Sequence, residues 1–186
     1  MAETIQSARP RRPAGRAGGA HVRLLAKSGA MALMSSAALH AGAAVTYEYD
    51  KFSDTTMVVG REGEAERGRP NITIVGAFKG RTPTKQAPPL SVAYTFISDD
   101  WQYLRCYDVE FLADGKPVKT MRSNRTGRVG SGFVIESILV DVPAAGARSM
   151  ARASAVDSQV CRTELPFGEA DMRNLRDVLR ALTPPR

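Results

Sequence analysis

Apolar residues alternate with other residues along several stretches of the chain, and this period of two constrains the fold more strongly than any other feature. The alternation is clearest at residues 71–78, 90–97 and 107–111. Successive side chains of a β-strand point to opposite faces, so each stretch predicts a strand with one buried face. Segments 45–49 and 55–59 are rich in β-branched and aromatic residues, which favours two further strands.

A tight hairpin is predicted between residues 103 and 118. Asp114 and Gly115 supply the positive φ angles that such a turn requires. Pro117 cannot donate a hydrogen bond to a neighbouring strand, so the returning strand either lies at the edge of a sheet or begins at Pro117. Residues 133–142 carry apolar side chains on both faces, a pattern that predicts a strand covered on both sides.

Helical patterns appear only near the end of the chain. A short helix is predicted from Pro143 to about residue 155, a last strand over 156–165, and a C-terminal helix over 169–182. The fold class is therefore predicted as α+β and mainly antiparallel, with one short helix before the last strand and one C-terminal helix. We expect about seven or eight strands in a sandwich-like or curved sheet.

The first 43 residues differ from the rest in composition. They hold six basic residues against one acidic residue, become apolar from Leu24 to Leu39, and end in Ala41-Gly42-Ala43. A basic start, an apolar segment and a small-x-small site are typical of a secretory signal peptide. We predict cleavage after residue 43 and a single domain over 44–186. Arg11-Arg12 leaves the twin-Arg export route open beside the general secretory route.

The basic character of the chain belongs mostly to this leader. Residues 1–43 carry +5 of the formal net charge of +7, which leaves +2 for the domain. A domain so nearly neutral is not expected to bind nucleic acid strongly. Arg outnumbers Lys 20 to 6, a bias found in GC-rich bacterial genomes. We therefore expect a periplasmic or secreted bacterial protein, with no membrane attachment once the leader is removed.

Histidine is absent from the predicted mature chain, because His21 and His40 both lie in the leader. This absence excludes Ser-His-Asp and Cys-His nucleophiles and histidine-based metal sites from the domain. No cofactor and no metal are expected. A hydrolase built on this domain would depend on carboxylates, Lys or Tyr.

The two cysteines, Cys106 and Cys161, both lie in the domain. Paired thiols are the rule in an oxidising compartment, and closing a loop of about 55 residues stabilises a fold by about 4 kcal/mol in the chain-entropy model. We predict a disulfide between them. The alternative is two separate buried thiols that behave as small apolar side chains.

Acidic and aromatic residues are the remaining candidates for chemistry. Asp99, Asp100 and Trp101 follow a predicted strand, where the carboxylates either form a turn or act as acid and base. Trp101 either packs on the sheet or stacks on a ligand. Glu136 and Arg105 each lie on an otherwise apolar strand face, so they form a structural ion pair or, alternatively, Glu136 is a buried catalytic acid.

Three arginines, Arg122, Arg125 and Arg128, lie in the glycine-containing segment 121–132, which is predicted to be a loop. Their guanidinium groups either face solvent or bind a polyanion or an acidic partner. We therefore expect an exported, non-enzymatic binding or structural domain, whose partner is another envelope protein or a polyanion. The alternatives are a carboxylate-dependent hydrolase and an intracellular protein with a basic nucleic-acid-binding tail.

Overall fold

The computed structural model of the chain describes residues 45–83 and 88–184. The predicted signal peptide, residues 1–43, lies outside the described residues. Ten strands and two helices occupy the described part of the chain. In chain order they are β1 (Thr46–Asp50), β2 (Thr55–Arg61), β3 (Asn71–Lys79), β4 (Leu90–Ser98), β5 (Val109–Ala113), β6 (Lys116–Val118), β7 (Asn124–Gly130), β8 (Phe133–Val142), α1 (Ala144–Arg152), β9 (Val156–Val160), β10 (Thr163–Glu164) and α2 (Glu169–Ala181).

The strands form two antiparallel sheets. One sheet has six strands in the order β1-β2-β3-β4-β8-β7, and the other has four strands in the order β10-β9-β5-β6. The predicted α+β class, with a short helix before the last strands and a helix at the C-terminus, is confirmed.

The strand count exceeds the prediction for two reasons. Residues 121–132, predicted to be a loop, contain the edge strand β7, which pairs along its whole length with β8. The single strand predicted over 156–165 is a hairpin of β9 and β10, since Cys161 takes a left-handed φ of 57° at its turn.

The predicted hairpin between β5 and β6 is confirmed. Asp114 and Gly115 adopt φ angles of 48° and 74° at its turn, and β6 lies at the edge of its sheet. The Asp114 carboxylate also accepts hydrogen bonds from the backbone N–H groups of Ser154 and Ala155, at 2.9 and 3.1 Å. The turn is thereby fixed to the chain that leaves α1.

In the part of the chain that the structure describes, only one face of the six-stranded sheet contributes to the hydrophobic core. This inner face, both helices and the buried face of the four-stranded sheet share one cluster of buried apolar residues, and no outer-face strand residue belongs to it. The prediction that β8 is covered on both sides is wrong: its outer-face residues are half-buried, and Leu139 is 40% exposed. Neighbouring side chains on the sheet shield this face in part.

Helix α2 approaches β2 and β3 closely because both strands carry a glycine beneath it. A Cβ added at Gly60 would lie 3.0 Å from Cγ2 of Val178, and one added at Gly76 would overlap the buried side chain of Leu182. Any side chain at these two positions would therefore push the helix away from the sheet.

We expect Gly76→Val to lower the free energy of unfolding by about 1–3 kcal/mol, because the added methyl groups overpack the contact with Leu182. Urea unfolding measures the change. Ala77→Val is the matched control, since residue 77 is the next residue of β3 and faces the outer side. The control is expected to stay within about 0.5 kcal/mol of the wild type. Equal losses in both variants would contradict this account of the helix packing.

Candidate functional site

The outer face of the six-stranded sheet contains a shallow depression of about 550 Å³. We call it the outer depression. Its lining comes from β2, β3, β4, β7 and β8 and from the loop after β2. The lining residues are Arg61, Glu64, Ala65, Asn71, Thr73, Thr95, Ile97, Thr126, Gly127, Arg128, Ile135 and Ser137.

Four uncharged polar residues cross the floor of the outer depression in one row. Strand register places Asn71 of β3 beside Thr95 of β4, Thr95 beside Ser137 of β8, and Ser137 beside Thr126 of β7. Strands of a sheet are about 4.8 Å apart, so this polar row extends over roughly 14 Å. Hydroxyl and amide side chains both donate and accept hydrogen bonds, which makes the row suited to a ligand rich in hydroxyl groups.

A guanidinium group lies near each end of the polar row. Arg61 ends β2, next to Thr73 of β3, and Arg128 lies on β7 opposite Ile135 of β8. Both side chains are exposed, and neither forms an ion pair with another described residue. Among the described residues that line the depression, Glu64 is the single acidic one. The outer depression thus offers two separated cations to an anionic ligand.

The three arginines of segment 121–132 do not act together. Arg122 is exposed ahead of β7, Arg125 points to the inner face of the sheet, and Arg128 points to the outer face. Successive side chains of a strand point to opposite faces, so Arg125 and Arg128, three residues apart on β7, lie on opposite sides of the sheet. Among the three, Arg128 is the one that lines the outer depression.

Glu136 is fully buried on the inner face, where it holds the loop after β4. Its carboxylate accepts hydrogen bonds from the backbone N–H groups of Gln102, at 2.6 Å, and Tyr103, at 3.1 Å. The guanidinium of Arg125 lies 3.4 Å from the same carboxylate. The charged partner of Glu136 is thus Arg125 and differs from the predicted Arg105, which is exposed in a loop and forms no ion pair with a described residue.

Trp101 is half-buried against the inner side of β7. A Cβ at Gly127 would overlap its ring, and the guanidinium carbon of Arg125 lies 5.2 Å from the ring centre. The absence of a side chain at position 127 thus makes room for the indole. Trp101 packs on the sheet, which is the first of the two roles inferred from the sequence.

The two aspartates before Trp101 are exposed turn residues. Asp99 forms an ion pair with Arg67 at 2.7 Å, and Arg67 also donates to the backbone oxygen of Gly132. The carbonyl of Asp100 accepts a hydrogen bond from the Ser98 hydroxyl. No group of three or more metal-binding side chains occurs in residues 45–83 and 88–184.

Cys106 and Cys161 form a disulfide, as predicted, with Cα atoms 5.9 Å apart. Cys106 is exposed in the loop before β5, and Cys161 is at the turn between β9 and β10. The backbone N–H of Cys161 donates to the carbonyl of Asp108 at 2.9 Å. The bond therefore joins the adjoining ends of two paired strands.

Most residues of the outer depression were not identified from the sequence. Asn71, Thr95 and Ser137 belong to strands that the sequence predicted, whereas Thr126 lies in the segment predicted to be a loop and Arg61 lies just beyond the predicted strand segment 55–59. The available signal was the residue type, because solvated strand faces usually carry long charged side chains and these positions carry Asn, Thr and Ser. Which strands adjoin, however, depends on pairing between distant segments.

No helix in the described part of the chain has both the length and the apolar character needed to span a bilayer.

We expect Glu136→Gln to lower the free energy of unfolding by at least about 2 kcal/mol, because an amide NH₂ would replace an acceptor that faces two backbone donors and Arg125. Trp101 is the sole tryptophan, so its fluorescence should shift as the loop loosens. Asp100→Asn removes an exposed carboxylate from the same loop and serves as the control, with no shift expected. An unchanged Glu136→Gln variant would contradict the structural role of the carboxylate.

The disulfide gives a second prediction. Protein folded in an oxidising compartment, then unfolded without reductant, is expected to release no titratable thiol, and the reduced sample is expected to release two per chain. Reduction should lower the free energy of unfolding by about 4 kcal/mol, since the open chain gains loop entropy when unfolded. Two reactive thiols before reduction would show that the bond does not form.

Comparison of the chain with protein-family models, with curated proteins and with solved structures finds no match.

Proposed function

We propose that this protein is an exported, non-enzymatic binding domain that holds an acidic polysaccharide in the outer depression. The observation that carries the proposal is the polar row with, near each end, a guanidinium group that forms no ion pair with a described residue. Guanidinium groups bind carboxylates through paired hydrogen bonds, and hydroxyl and amide side chains match the hydroxyl groups of sugars.

The shape and lining of the depression favour an extended polar chain over a small apolar ligand. Sites for small molecules are concave and lined mainly by apolar and aromatic side chains. The outer depression is shallow, and among the described residues its lining includes no aromatic residue and only a few apolar ones. Single-stranded nucleic acid is also a poor match, because its binding sites supply aromatic side chains on which bases stack.

Three observations support export and binding over intracellular hydrolysis. The leader has the charge and apolar pattern of a signal peptide, and a disulfide is typical of oxidising compartments. Of the three carboxylates considered for hydrolysis, Glu136 is engaged by backbone N–H groups and Asp99 by Arg67, which leaves Asp100 alone in an exposed turn. The residues of the domain therefore match a binding role better than carboxylate-dependent hydrolysis.

The test is titration of the protein with polygalacturonate oligomers, with the fully methyl-esterified, uncharged oligomers as the ligand control. Binding of the charged oligomers alone is expected. Arg61→Ala and Arg128→Ala should each weaken binding about ten-fold, the loss of one charge-assisted contact. Arg148→Ala removes an exposed cation of α1, away from the sheet face, and should leave the affinity unchanged.

Three outcomes would contradict the proposal. The first is no binding of the charged oligomers, and the second is equal binding of the esterified ones. The third is tighter binding of duplex or single-stranded oligonucleotides that weakens steeply with salt, which would favour the nucleic-acid alternative.

A further inference from the structure

Both edges of the six-stranded sheet are open in the described part of the chain. The sheet ends at β1 on one side and at β7 on the other, and no described strand pairs with the outer edge of either. The unpaired N–H and C=O groups of an edge strand are a template for a further strand. Each edge can therefore accept a strand from another molecule.

Strand direction makes the two edges compatible with each other. All neighbouring pairs in the sheet are antiparallel, and the number of strands is six, so β1 and β7 run in opposite directions. A second copy placed beside the first, with its inner face on the same side, brings its β1 antiparallel to the first copy's β7. The sheet would then continue across the two molecules with antiparallel pairing throughout.

The two edges carry opposite charge. Strand β1 contains Glu48 and Asp50 and no basic residue, whereas β7 contains Arg125 and Arg128 and no acidic residue. Hydrogen bonds from the Ser53 side chain and the Phe52 N–H hold the pKa of Asp50 below its usual range, so this carboxylate keeps its charge. Pairing β1 with β1, or β7 with β7, would bring like charges together.

One register between β1 and β7 gives favourable side-chain pairs on both faces of the extended sheet. If Tyr47 lies opposite Val129, antiparallel pairing places Glu48 opposite Arg128. Tyr47 and Val129 both point to the inner side and are 62% and 68% exposed, and Glu48 and Arg128 both point to the outer side. An apolar pair on one face and an ion pair on the other thus arise from the same alignment.

From these features we propose that copies of this chain associate head to tail, with β1 of one copy extending the sheet at β7 of the next. The contact is heterologous, so repetition gives an open array or a ring and leaves one β1 edge and one β7 edge free in any open form. A five-residue strand buries little area, and the association is therefore weak and depends on concentration. Arg128 has five N–H donors, and pairing with Glu48 leaves donors for a ligand in the outer depression.

The test is sedimentation velocity of the protein expressed from the full 186-residue sequence, over protein concentrations up to about 1 mM. The wild-type weight-average mass should rise with concentration and fall with added salt. Glu48→Arg and Arg128→Glu should each weaken association about ten-fold or more, because an ion pair becomes a like-charge contact. The matched control is Glu110→Arg, an exposed position of β5 in the other sheet.

Exchanging the charges of Glu48 and Arg128 distinguishes the pairing of β1 with β7 from other forms of assembly. The double variant Glu48→Arg/Arg128→Glu should associate as the wild type does, and so should an equimolar mixture of the two single variants. A monomeric wild type at every concentration would overturn the proposal, as would association that is insensitive to Glu48→Arg or not restored by the exchange. Glu48 lies outside the outer depression, so polygalacturonate binding by the Glu48→Arg variant tests the proposed function independently of assembly.

Discussion

The contact between α2 and two strands that carry glycine beneath it sets the arrangement of the whole domain. With no side chain at Gly60 and Gly76, Val178 and Leu182 reach the backbone of β2 and β3. The helix therefore occupies the inner face at close range, and the four-stranded sheet and α1 complete the cover on the same side. No layer of described residues covers the opposite face, and the outer depression lies on it.

The buried carboxylate of Glu136 is a second interaction that joins distant parts of the chain. Glu136 lies in the middle of β8, yet its hydrogen-bond partners are the backbone of the loop after β4 and the arginine of the edge strand. The same loop places the Tyr103 ring against Phe96, with 4.4 Å between ring centres, and carries Cys106 toward the other sheet. The Glu136 carboxylate thus holds the loop after β4 in place, because the backbone N–H groups of that loop have no partner in the sheet and need an acceptor.

Local patterns in the sequence predicted the class of the fold and failed where long-range pairing decides the structure. Asp114-Gly115 predicted its turn because positive φ is a property of those residues themselves. Residues 124–130 contain Gly127 and Gly130 and have the local pattern of a loop. They form a strand because they pair with β8 and because the Trp101 ring fills the space next to Gly127. The partner of Glu136 and the polar row depend on strand order in the same way, so neither follows from spacing along the chain.

The disulfide closes a covalent ring between residues 106 and 161, and this ring includes strands of both sheets. Strands β7 and β8 of the six-stranded sheet and β5, β6 and β9 of the four-stranded sheet all lie within it, together with α1. A segment inside this ring is tethered to it at both ends, so domain swapping can exchange it only as a folded-back loop. The elements outside the ring, namely β1 to β4, β10 and α2, are tethered to it at one end only. While the bond is intact, exchange of elements between copies therefore meets the fewest topological constraints at these outer elements.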